Sequence, residues 1–411
     1  MTATRCKNET TPLRGILFLL AVGAAVGGGS GCDRLGNPEG ETGGTGGTGG
    51  QSRGNTGATG GTGATGGETS GEATPYQTIG RVMSTAKGPS FAYSGSAITA
   101  RFRGTGISMT LNELTSPMTY GGQQQGNMYD VSVDGGAPTV LATKFGTSTY
   151  ALAQGLSDGE HTIFVRKRTE ALVGEATFQG FTVQGGALVP AARNVQKRLL
   201  IVGDSISCGY GNEGTTATCE FSPATENASK SYGVVAADKL KADAAIVAWS
   251  GKGVYRNNDG TTTETLPALY ARALPGHAES TFDPSTWTPD AIVVNLGTND
   301  FATGVPEQTA FVAAYGDFVA KLRQQYPDAH IFCALGPMLS DFYPQGQQAL
   351  TTARSYIQQV ISASGDSKMH FLEFATSNTD TGVGCAYHPN VSTHAAMAAQ
   401  LSAALTQTLG W

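Results

Sequence analysis

The stretch from Leu199 to Ser207 constrains the fold more than any other part of the sequence. It begins with four consecutive apolar residues, which predict a strand covered on both faces of a parallel sheet, because such strands are continuously hydrophobic. The apolar run stops at Gly203, and Asp204 and Ser205 follow. Open α/β sheets bind ligands at the carboxyl ends of their strands. Ser205 is therefore either a nucleophile or, since Ser and Asp are preferred N-caps, part of an ordinary helix start.

The chain after this stretch alternates between apolar runs and helical patterns. Residues 244–249, 291–296 and 330–335 predict further strands, whereas 231–241, 309–326 and 346–362 have helical spacing, and a last helix is predicted to start after Asn390. Alternation of this kind predicts a parallel sheet with helices on both faces. We therefore expect an α/β domain over residues 199–411.

Residues 76–187 have a different pattern. Short segments of alternating polarity, such as 97–102, 106–111 and 129–134, are separated by Gly, Asp and Pro. Regular short strands with turn residues between them predict an all-β domain, a sandwich or jelly roll. Residues 188–198, which include Pro190, are predicted to connect it to the α/β domain.

The N-terminus has the pattern of an export signal. The positively charged residues Arg5, Lys7 and Arg14 precede a short apolar run over residues 15–26. This run is shorter and richer in glycine than a typical membrane-spanning helix. Small residues directly precede Cys32, which resembles a bacterial lipobox, although Gly29 stands where Leu is usual. We expect residues 1–32 to be a lipoprotein signal peptide with Cys32 as the lipidated residue. The alternative is an ordinary signal peptide with an incidental cysteine.

Residues 33–75 are predicted to be a disordered tether, because their Gly- and Thr-rich repeats cannot bury enough surface to offset the entropy of ordering. The resulting expectation is an exported bacterial lipoprotein at the outer membrane, the cell surface or the periplasm, with a lipid anchor as its membrane contact. Charged residues make up 14% of the chain and the net charge is −6. Without a basic block, a nucleic-acid partner is not expected. We expect a monomer.

Cysteines in an exported chain can form disulfides. Beyond Cys6 and Cys32, the chain has Cys208, Cys219, Cys333 and Cys385, for which three pairings are possible. The short spacing favours Cys208–Cys219, beside Ser205, and leaves Cys333–Cys385. A metal site is less favoured because no CxxC or clustered His spacing is present, and no cofactor is predicted.

Polar residues follow several of the predicted strands and come together at one crevice if the sheet is parallel. Ser250 and Gly251 follow the second strand, Asn299 and Asp300 follow the third, and His388 precedes the last helix. A serine needs a base to take its proton before it can act as a nucleophile. His388 is the candidate base for Ser205.

These blocks resemble the SGNH hydrolase superfamily, whose name lists a Ser, a Gly, an Asn and a His. The matching residues are Gly203-Asp204-Ser205, Gly251, Gly297-x-Asn299-Asp300 and His388. More closely, the chain resembles carbohydrate esterase family 2 over roughly residues 79–411, through segments such as 203–214, 248–254, 295–301 and 384–390, and 167–170 in the β domain. The resemblance implies an N-terminal β-sandwich followed by a flavodoxin-like SGNH domain.

The implied chemistry is an attack of Ser205 on an acetyl ester of a polysaccharide, of the xylan or glucomannan type, with His388 as base. The oxyanion donors would be the backbone N–H groups of Ser205 and Gly251 and the side-chain amide of Asn299. The carboxylates of Asp204 and Asp300 could instead form the catalytic pair of a glycoside hydrolase. We expect them to brace the turns that carry Ser205 and Asn299.

The third member of a catalytic triad is missing at its usual places. SGNH enzymes typically have Asp three residues before the His, where this chain has Cys385, and family 2 members often have Asp two residues before it, where this chain has Ala386. Some members of the family are described as Ser–His dyads, so we expect a dyad with His388 held by the backbone. Asp380 is a substitute carboxylate to consider, and His394 is a rival base with a structural role expected.

Four aromatic residues are candidates for stacking on sugar rings: Tyr210, Trp249, Trp287 and Tyr387. For each of them a place in the core is an equal alternative. Two other functions stay open besides an exported acetylesterase. One is a surface carbohydrate-binding protein with little catalysis, which the missing carboxylate favours. The other is a general SGNH lipase or thioesterase.

Overall fold

The computed structural model describes residues 73–116, 118–120 and 122–411. The predicted signal peptide, the predicted lipidation site Cys32 and residues 33–72 of the predicted tether lie outside the described residues. Among the helices that are described, none combines the length and apolarity needed to cross a membrane.

The N-terminal part is a β-sandwich, as predicted. Its strands are β1 (Gln77–Ile79), β2 (Met83–Thr85), β3 (Gly88–Phe91), β4 (Ala97–Gly104), β5 (Gly106–Glu113), β6 (Met118–Tyr120), β7 (Gln123–Gln125), β8 (Met128–Val133), β9 (Thr139–Ala142), β10 (Gly146–Ala153), β11 (Gly159–Lys167), β12 (Ala176–Gln184) and β13 (Ala187–Val189).

Two antiparallel sheets make up this sandwich. One has the order β1-β4-β11-β8-β9 with β13 added on β4, and the other has the order β10-β5-β12-β3-β2. Alternate residues such as Phe102, Ile163, Met109 and Phe178 point between the sheets and form a single apolar core. Strand β13 extends the sandwich to Val189, inside the segment predicted as a connector.

The C-terminal part is the predicted α/β domain. Its elements are β14 (Arg198–Gly203), α1 (Ser205–Cys208), α2 (Tyr232–Leu240), β15 (Asp243–Ala248), α3 (Leu266–Leu269), β16 (Ala291–Asn295), α4 (Gln308–Gln325), β17 (His330–Leu335), α5 (Ala349–Ser364), β18 (Met369–Glu373) and α6 (Val391–Leu409). Short 3₁₀ turns cover Pro223–Thr225, Ala228–Lys230, Pro284–Thr286, Asn299–Phe301 and Cys385–Tyr387.

The parallel sheet has the order β15-β14-β16-β17-β18, which is the flavodoxin-like order. Strand β14, which has a neighbour on each side, is apolar from Leu199 to Val202 because a core covers each face of the sheet. Leu200 and Val202 belong to the core that includes α3, α4 and α5, whereas Leu199 and Ile201 belong to the core that includes α2 and α6. Ser205 follows β14 at the carboxyl edge of this sheet, beside the topological switch point between β14 and β16.

The two domains share a buried boundary. Tyr93 of the sandwich is fully buried in a core of the α/β domain, and its hydroxyl donates to the Leu269 carbonyl over 3.3 Å. Arg81, 2% exposed, lies between the rings of Tyr270 and Phe282, each centred 4.3 Å from its guanidinium carbon. The sandwich is therefore packed into the domain that carries Ser205.

Candidate active site

Ser205 is presented by a tight turn between β14 and α1. Asp204 caps the helix, because its Oδ1 accepts the N–H of Ile206 over 3.0 Å. A Cβ at position 203 would collide with the side chain of Ser207, so this turn requires glycine. The N-cap of the predicted helix start is thus Asp204, and Ser205 stands at the first helical position.

His388 contacts Ser205 directly. Its Nε2 lies 2.8 Å from Ser205 Oγ, and its Nδ1 lies 3.0 Å from the carbonyl oxygen of Ala386. A carbonyl can only accept, so Nδ1 carries the proton and Nε2 is the acceptor for the serine hydroxyl. This is the tautomer that a general base needs.

The Ala386 carbonyl occupies the place of a triad carboxylate. Ala386 and Tyr387 have φ values of 51° and 59°, in the left-handed region that L residues rarely adopt. Three backbone bonds hold this turn: Cys385 N–H to Gly211 O, Ala386 N–H to Cys219 O and Tyr387 N–H to Ala217 O, at 3.0, 2.9 and 3.0 Å. Asp380, the substitute carboxylate considered from sequence, is exposed and is not among the described partners of His388.

The cysteine pairing predicted from sequence is wrong. Cys219 and Cys385 form a disulfide, and Cys208 and Cys333 are free and buried. Cys208 lies on the inner side of α1, with its Sγ 3.7 Å from a Glu170 carboxylate oxygen, and Cys333 lies within the buried strand β17. Neither can reach the loops above the sheet edge, where the disulfide fastens the turn of His388 to the loop after α1.

Two backbone amides at the site are available to an oxyanion. Within the described residues, the N–H groups of Ser205 and Gly251 donate to no protein acceptor. Gly251 adopts φ = 80°, which glycine reaches without strain. Asn299 also reaches the site, but its Nδ2 donates to Lys252 O over 2.9 Å and to Asp204 Oδ2 over 3.3 Å. Both bonds engage the amide that the sequence predicts as a third oxyanion donor.

Burial sets the charges of the site. Desolvation lowers the pKa of His388 to about 4, although the backbone carbonyls of Ala386 and Cys385 oppose the shift. Burial raises the pKa of Asp204 to about 7, with a further contribution from Asp300. Asp300 accepts the N–H groups of residues 254–256, which braces the loop after Gly251. Asp204 and Asp300 therefore brace two turns rather than forming an acid–base pair of carboxylates.

Aromatic rings line one side of the dyad. The Tyr210 ring lies 4.3 Å from the His388 ring, and on its other side it is stacked on Phe221 at 4.1 Å. Tyr120, from β6 of the sandwich, contacts Phe221 edge-on at 5.6 Å. Neither Phe221 nor Tyr120 was predictable as a site residue, because neither lies in a recognisable motif. Tyr387, adjacent to His388, is half-buried.

Trp249 lines a cavity of about 410 Å³ next to Gly251, together with the polar residues Lys252, Asn257, Asp259 and Glu264. The ring is only partly buried, although it also packs against the core. This cavity therefore offers one aromatic face and several hydrogen-bonding groups beside the oxyanion amides.

Trp287, the other tryptophan considered for sugar stacking, has the core role that was its alternative. It lies before β16, at the amino end of that strand, and packs against the core. A strand of this length spans roughly 16 Å, so Trp287 is at the opposite edge of the sheet from Ser205. His394, the rival base, is fully buried; its Nδ1 accepts the Tyr232 N–H over 3.2 Å, and burial lowers its pKa to about 3.

One group of described side chains, Glu170, Cys208 and Glu226, has ligand atoms within 4.8 Å of one another. Burial holds the pKa of the Cys208 thiol well above its usual value, so the thiolate that metals prefer is disfavoured. Lys167 is buried nearby, and its pKa is lowered to about 8 by burial while these glutamates oppose the shift. The group is better described as a buried hydrogen-bond network, in which Glu170 accepts from Cys208 and Ser250 and Glu226 accepts from the Glu170 N–H, than as a set of metal ligands.

Two family models match the chain. Residues 78–191 match the carbohydrate esterase 2 N-terminal family, and residues 201–396 match the GDSL-like Lipase/Acylhydrolase family. Among curated relatives, the cellulase/esterase CelE of Acetivibrio thermocellus is 38% identical over 332 residues, 80% of this chain. The chain spans only 39% of that larger protein.

A second relative is an acetylxylan esterase / glucomannan deacetylase of Cellvibrio japonicus, 30% identical over 284 residues, which cover 69% of this chain and 76% of the relative. Among solved structures, a family two carbohydrate esterase from Clostridium thermocellum in complex with cellohexaose is 38% identical and superposes with a TM-score of 0.75. The match covers 82% of this chain and 99% of that one.

Proposed function

This chain belongs to carbohydrate esterase family 2, and we propose that it hydrolyses acetyl esters on a polysaccharide, with Ser205 as nucleophile and His388 as base. The contact of 2.8 Å between Ser205 Oγ and His388 Nε2, with Nδ1 held by a carbonyl, carries the proposal. The names of the curated relatives favour xylan or glucomannan as the polysaccharide.

The proposed reaction has two steps. Ser205 Oγ attacks the acetyl carbonyl while its proton moves to His388 Nε2. The oxyanion that forms accepts hydrogen bonds from the backbone N–H groups of Ser205 and Gly251. The tetrahedral intermediate then expels the sugar oxygen, which takes the proton from His388. Water hydrolyses the acetyl-serine in the second step, with His388 again accepting and returning a proton.

The residues around the site favour a sugar over a fatty acyl chain. The cavity beside Gly251 is lined by Lys252, Asn257, Asp259 and Glu264, which offer hydrogen bonds to hydroxyl groups, and by Trp249, on which a sugar ring can stack. A long acyl chain would need an apolar channel instead. A lipase or thioesterase function is therefore less favoured.

Non-hydrolytic binding of a polysaccharide is the second candidate. The observation that favours it is the carbonyl, rather than a carboxylate, behind His388. A carbonyl has no net charge with which to stabilise the imidazolium that forms during the reaction. Measurable binding of acetylated xylan without release of acetate would support this candidate over the esterase.

Release of acetate from acetylated xylan, glucomannan and chitin fragments tests the proposal, with p-nitrophenyl acetate as a general substrate. We expect wild type to release acetate and Ser205→Ala and His388→Ala to lose activity by a factor on the order of 10⁴ or more. The His394→Ala variant is the control for loss of a buried histidine away from the reacting atoms. Activity that survives in Ser205→Ala would contradict the proposal.

We also propose that the protein is exported and anchored by a lipid on Cys32. Support comes from the signal-like N-terminus and from the Cys219–Cys385 disulfide, which an oxidising compartment permits. A polymeric substrate is also found outside the cell rather than within it. Labelling of cells with radioactive palmitate should mark wild type but not Cys32→Ser, and the variant should leave the membrane fraction.

Light scattering of the soluble variant should show a monomer.

A further inference from the structure

Glu170 is one of the side chains by which the sandwich contacts the active-site loops. It follows β11 and is fully buried. Its own segment is fixed from within: Lys167 Nζ donates to the Thr169 carbonyl over 2.7 Å and to the Glu170 carbonyl over 3.0 Å. The Glu170 N–H donates to a Glu226 carboxylate oxygen over 3.0 Å. The carboxylate of Glu170 thus projects from a rigid base into the other domain.

Each oxygen of this carboxylate accepts a hydrogen bond from Ser250, and Oε2 also accepts from the Cys208 thiol over 3.7 Å. Glu170 Oε2 accepts the Ser250 N–H over 2.9 Å, and Oε1 accepts the Ser250 hydroxyl in a short bond. Ser250 is the residue before Gly251, so the Ser250–Gly251 peptide contains the N–H assigned to the oxyanion. Restraining Ser250 at its amide and its hydroxyl restrains the orientation of that peptide.

We infer that Glu170 is a positioning residue for ester hydrolysis, which aims the Gly251 N–H at the oxyanion through Ser250. This inference rests on the proposed function, because it presumes that Gly251 is an oxyanion donor. It gives the sandwich a part in catalysis without contact to the substrate. A buried carboxylate with only a structural role would affect folding but would have no selective effect on the chemical step.

The decisive variant is Glu170→Gln in the full chain. Gln conserves the volume but has one acceptor oxygen where the carboxylate has two, so Ser250 can no longer donate to this side chain through both its amide and its hydroxyl. Glu113→Gln is the matched control: Glu113 is also buried in the sandwich, and it accepts hydrogen bonds from Asn127, Tyr129 and Thr143 of its own domain only.

We expect Glu170→Gln to lower kcat for p-nitrophenyl acetate by roughly 10- to 100-fold with KM within about twofold, because the interaction lost acts in the transition state. The inhibition constant of methylboronic acid, whose tetrahedral adduct on a serine mimics the oxyanion, should rise by a similar factor. Glu113→Gln should keep kcat and the inhibition constant near those of wild type. Circular dichroism and the unfolding midpoint of each variant verify its fold.

A folded Glu170→Gln with the kcat of Glu113→Gln would overturn the inference, and so would an increase in KM alone. If Glu170→Gln does not fold, Ser250→Ala tests the inference instead, because it removes only the hydrogen bond from the Ser250 hydroxyl to Glu170. A decrease in kcat of roughly 3- to 10-fold at constant KM would support the inference, and an unchanged kcat would overturn it. Wild type that releases no acetate, or releases it independently of Ser205, would refute the proposed function instead.

Discussion

At the scale of the residue, the acceptor behind His388 decides how the base responds to pH. A carboxylate in that place would raise the pKa of the imidazole through its full negative charge, whereas the Ala386 carbonyl contributes only a dipole. Desolvation therefore dominates and lowers the pKa of His388 to about 4. The imidazole is then neutral, and able to accept the Ser205 proton, in all but acidic solution.

The pH dependence of kcat/KM should show this directly. As pH rises through the lowered pKa, His388 loses its proton, so activity should rise through pH about 4 and stay level above it, rather than rising near the usual 6.5. Initial rates with p-nitrophenyl acetate measure the profile, and return to neutral pH verifies that acid has not unfolded the protein. An acidic limb near 6.5 would contradict the prediction.

Ala386 is a second residue with a measurable consequence, because an alanine with φ = 51° is strained. Ala386→Gly should raise the free energy of unfolding by about 0.5–1 kcal/mol, since glycine adopts this conformation without a Cβ penalty. Ala386→Val should lower it, because β-branched residues tolerate positive φ least. Urea unfolding measures both, and equal midpoints for the two variants would contradict the account.

The residues of the site were predictable only where a side chain carries the chemistry. Ser205, Gly251 and His388 stand in sequence blocks, and the structure places Ser205 Oγ 2.8 Å from His388 Nε2. The Ala386 carbonyl has no side-chain signature, since every residue has a carbonyl and only the turn directs it. The role of Trp287 stayed open because its residue type fits sugar binding as well as core packing.

At the scale of the element, the turn Cys385–Tyr387 holds its conformation through a neighbouring loop. The disulfide joins Cys219 and Cys385 across 166 residues of sequence, and the backbone bonds to residues 211–219 run beside it. The loop after α1 is thus the support for His388.

Removing the disulfide should loosen this support. The double variant Cys219→Ser/Cys385→Ser should lose roughly 2–5 kcal/mol of unfolding free energy, and its kcat should fall more than its KM changes. Dithiothreitol should have the same effect on wild type and no further effect on the double variant, since Cys208 and Cys333 are already free. Full activity and an unchanged melting temperature in reduced wild type would count against the prediction.

Sequence patterns predicted the long elements better than the short ones. The three apolar runs after β14 became β15, β16 and β17 within one residue of the predicted bounds. Strand β18 was missed, since it lies at the edge of the sheet, where only Met369 is fully buried and the residues after it are half-buried. The pairing of Cys208 failed because α1 turns this side chain inward, which spacing along the chain does not reveal.

At the scale of the whole molecule, the sandwich and the α/β domain depend on each other. Arg81 donates to the carbonyls of Tyr270 and Arg272 in the other domain, and Tyr93 completes one of its cores. These contacts join residues far apart in sequence, so no local pattern predicted them. Shared buried contacts of this kind favour a single unfolding transition.

Arg81→Ala tests this dependence. The change removes two cation–π contacts and the hydrogen bonds that Arg81 donates to the Tyr270 and Arg272 carbonyls, so we expect a loss of roughly 2–4 kcal/mol in unfolding free energy. The control is Arg101→Ala, which removes an exposed ion pair with Glu160 and should cost at most about 1 kcal/mol. Scanning calorimetry should show one transition for wild type. Equal losses in the two variants would contradict a shared core.

The Ala386 carbonyl has a final consequence, for how such an enzyme can change over generations. A triad carboxylate is encoded by one codon, and a single nucleotide change can delete it. The acceptor of His388 belongs to the main chain, so a substitution at position 386 that the turn tolerates keeps this carbonyl. Mutations that remove the hydrogen bond to His388 Nδ1 should instead fall on the residues that hold the turn, above all Cys219 and Cys385. The positions most sensitive to mutation then differ from the position that makes the contact.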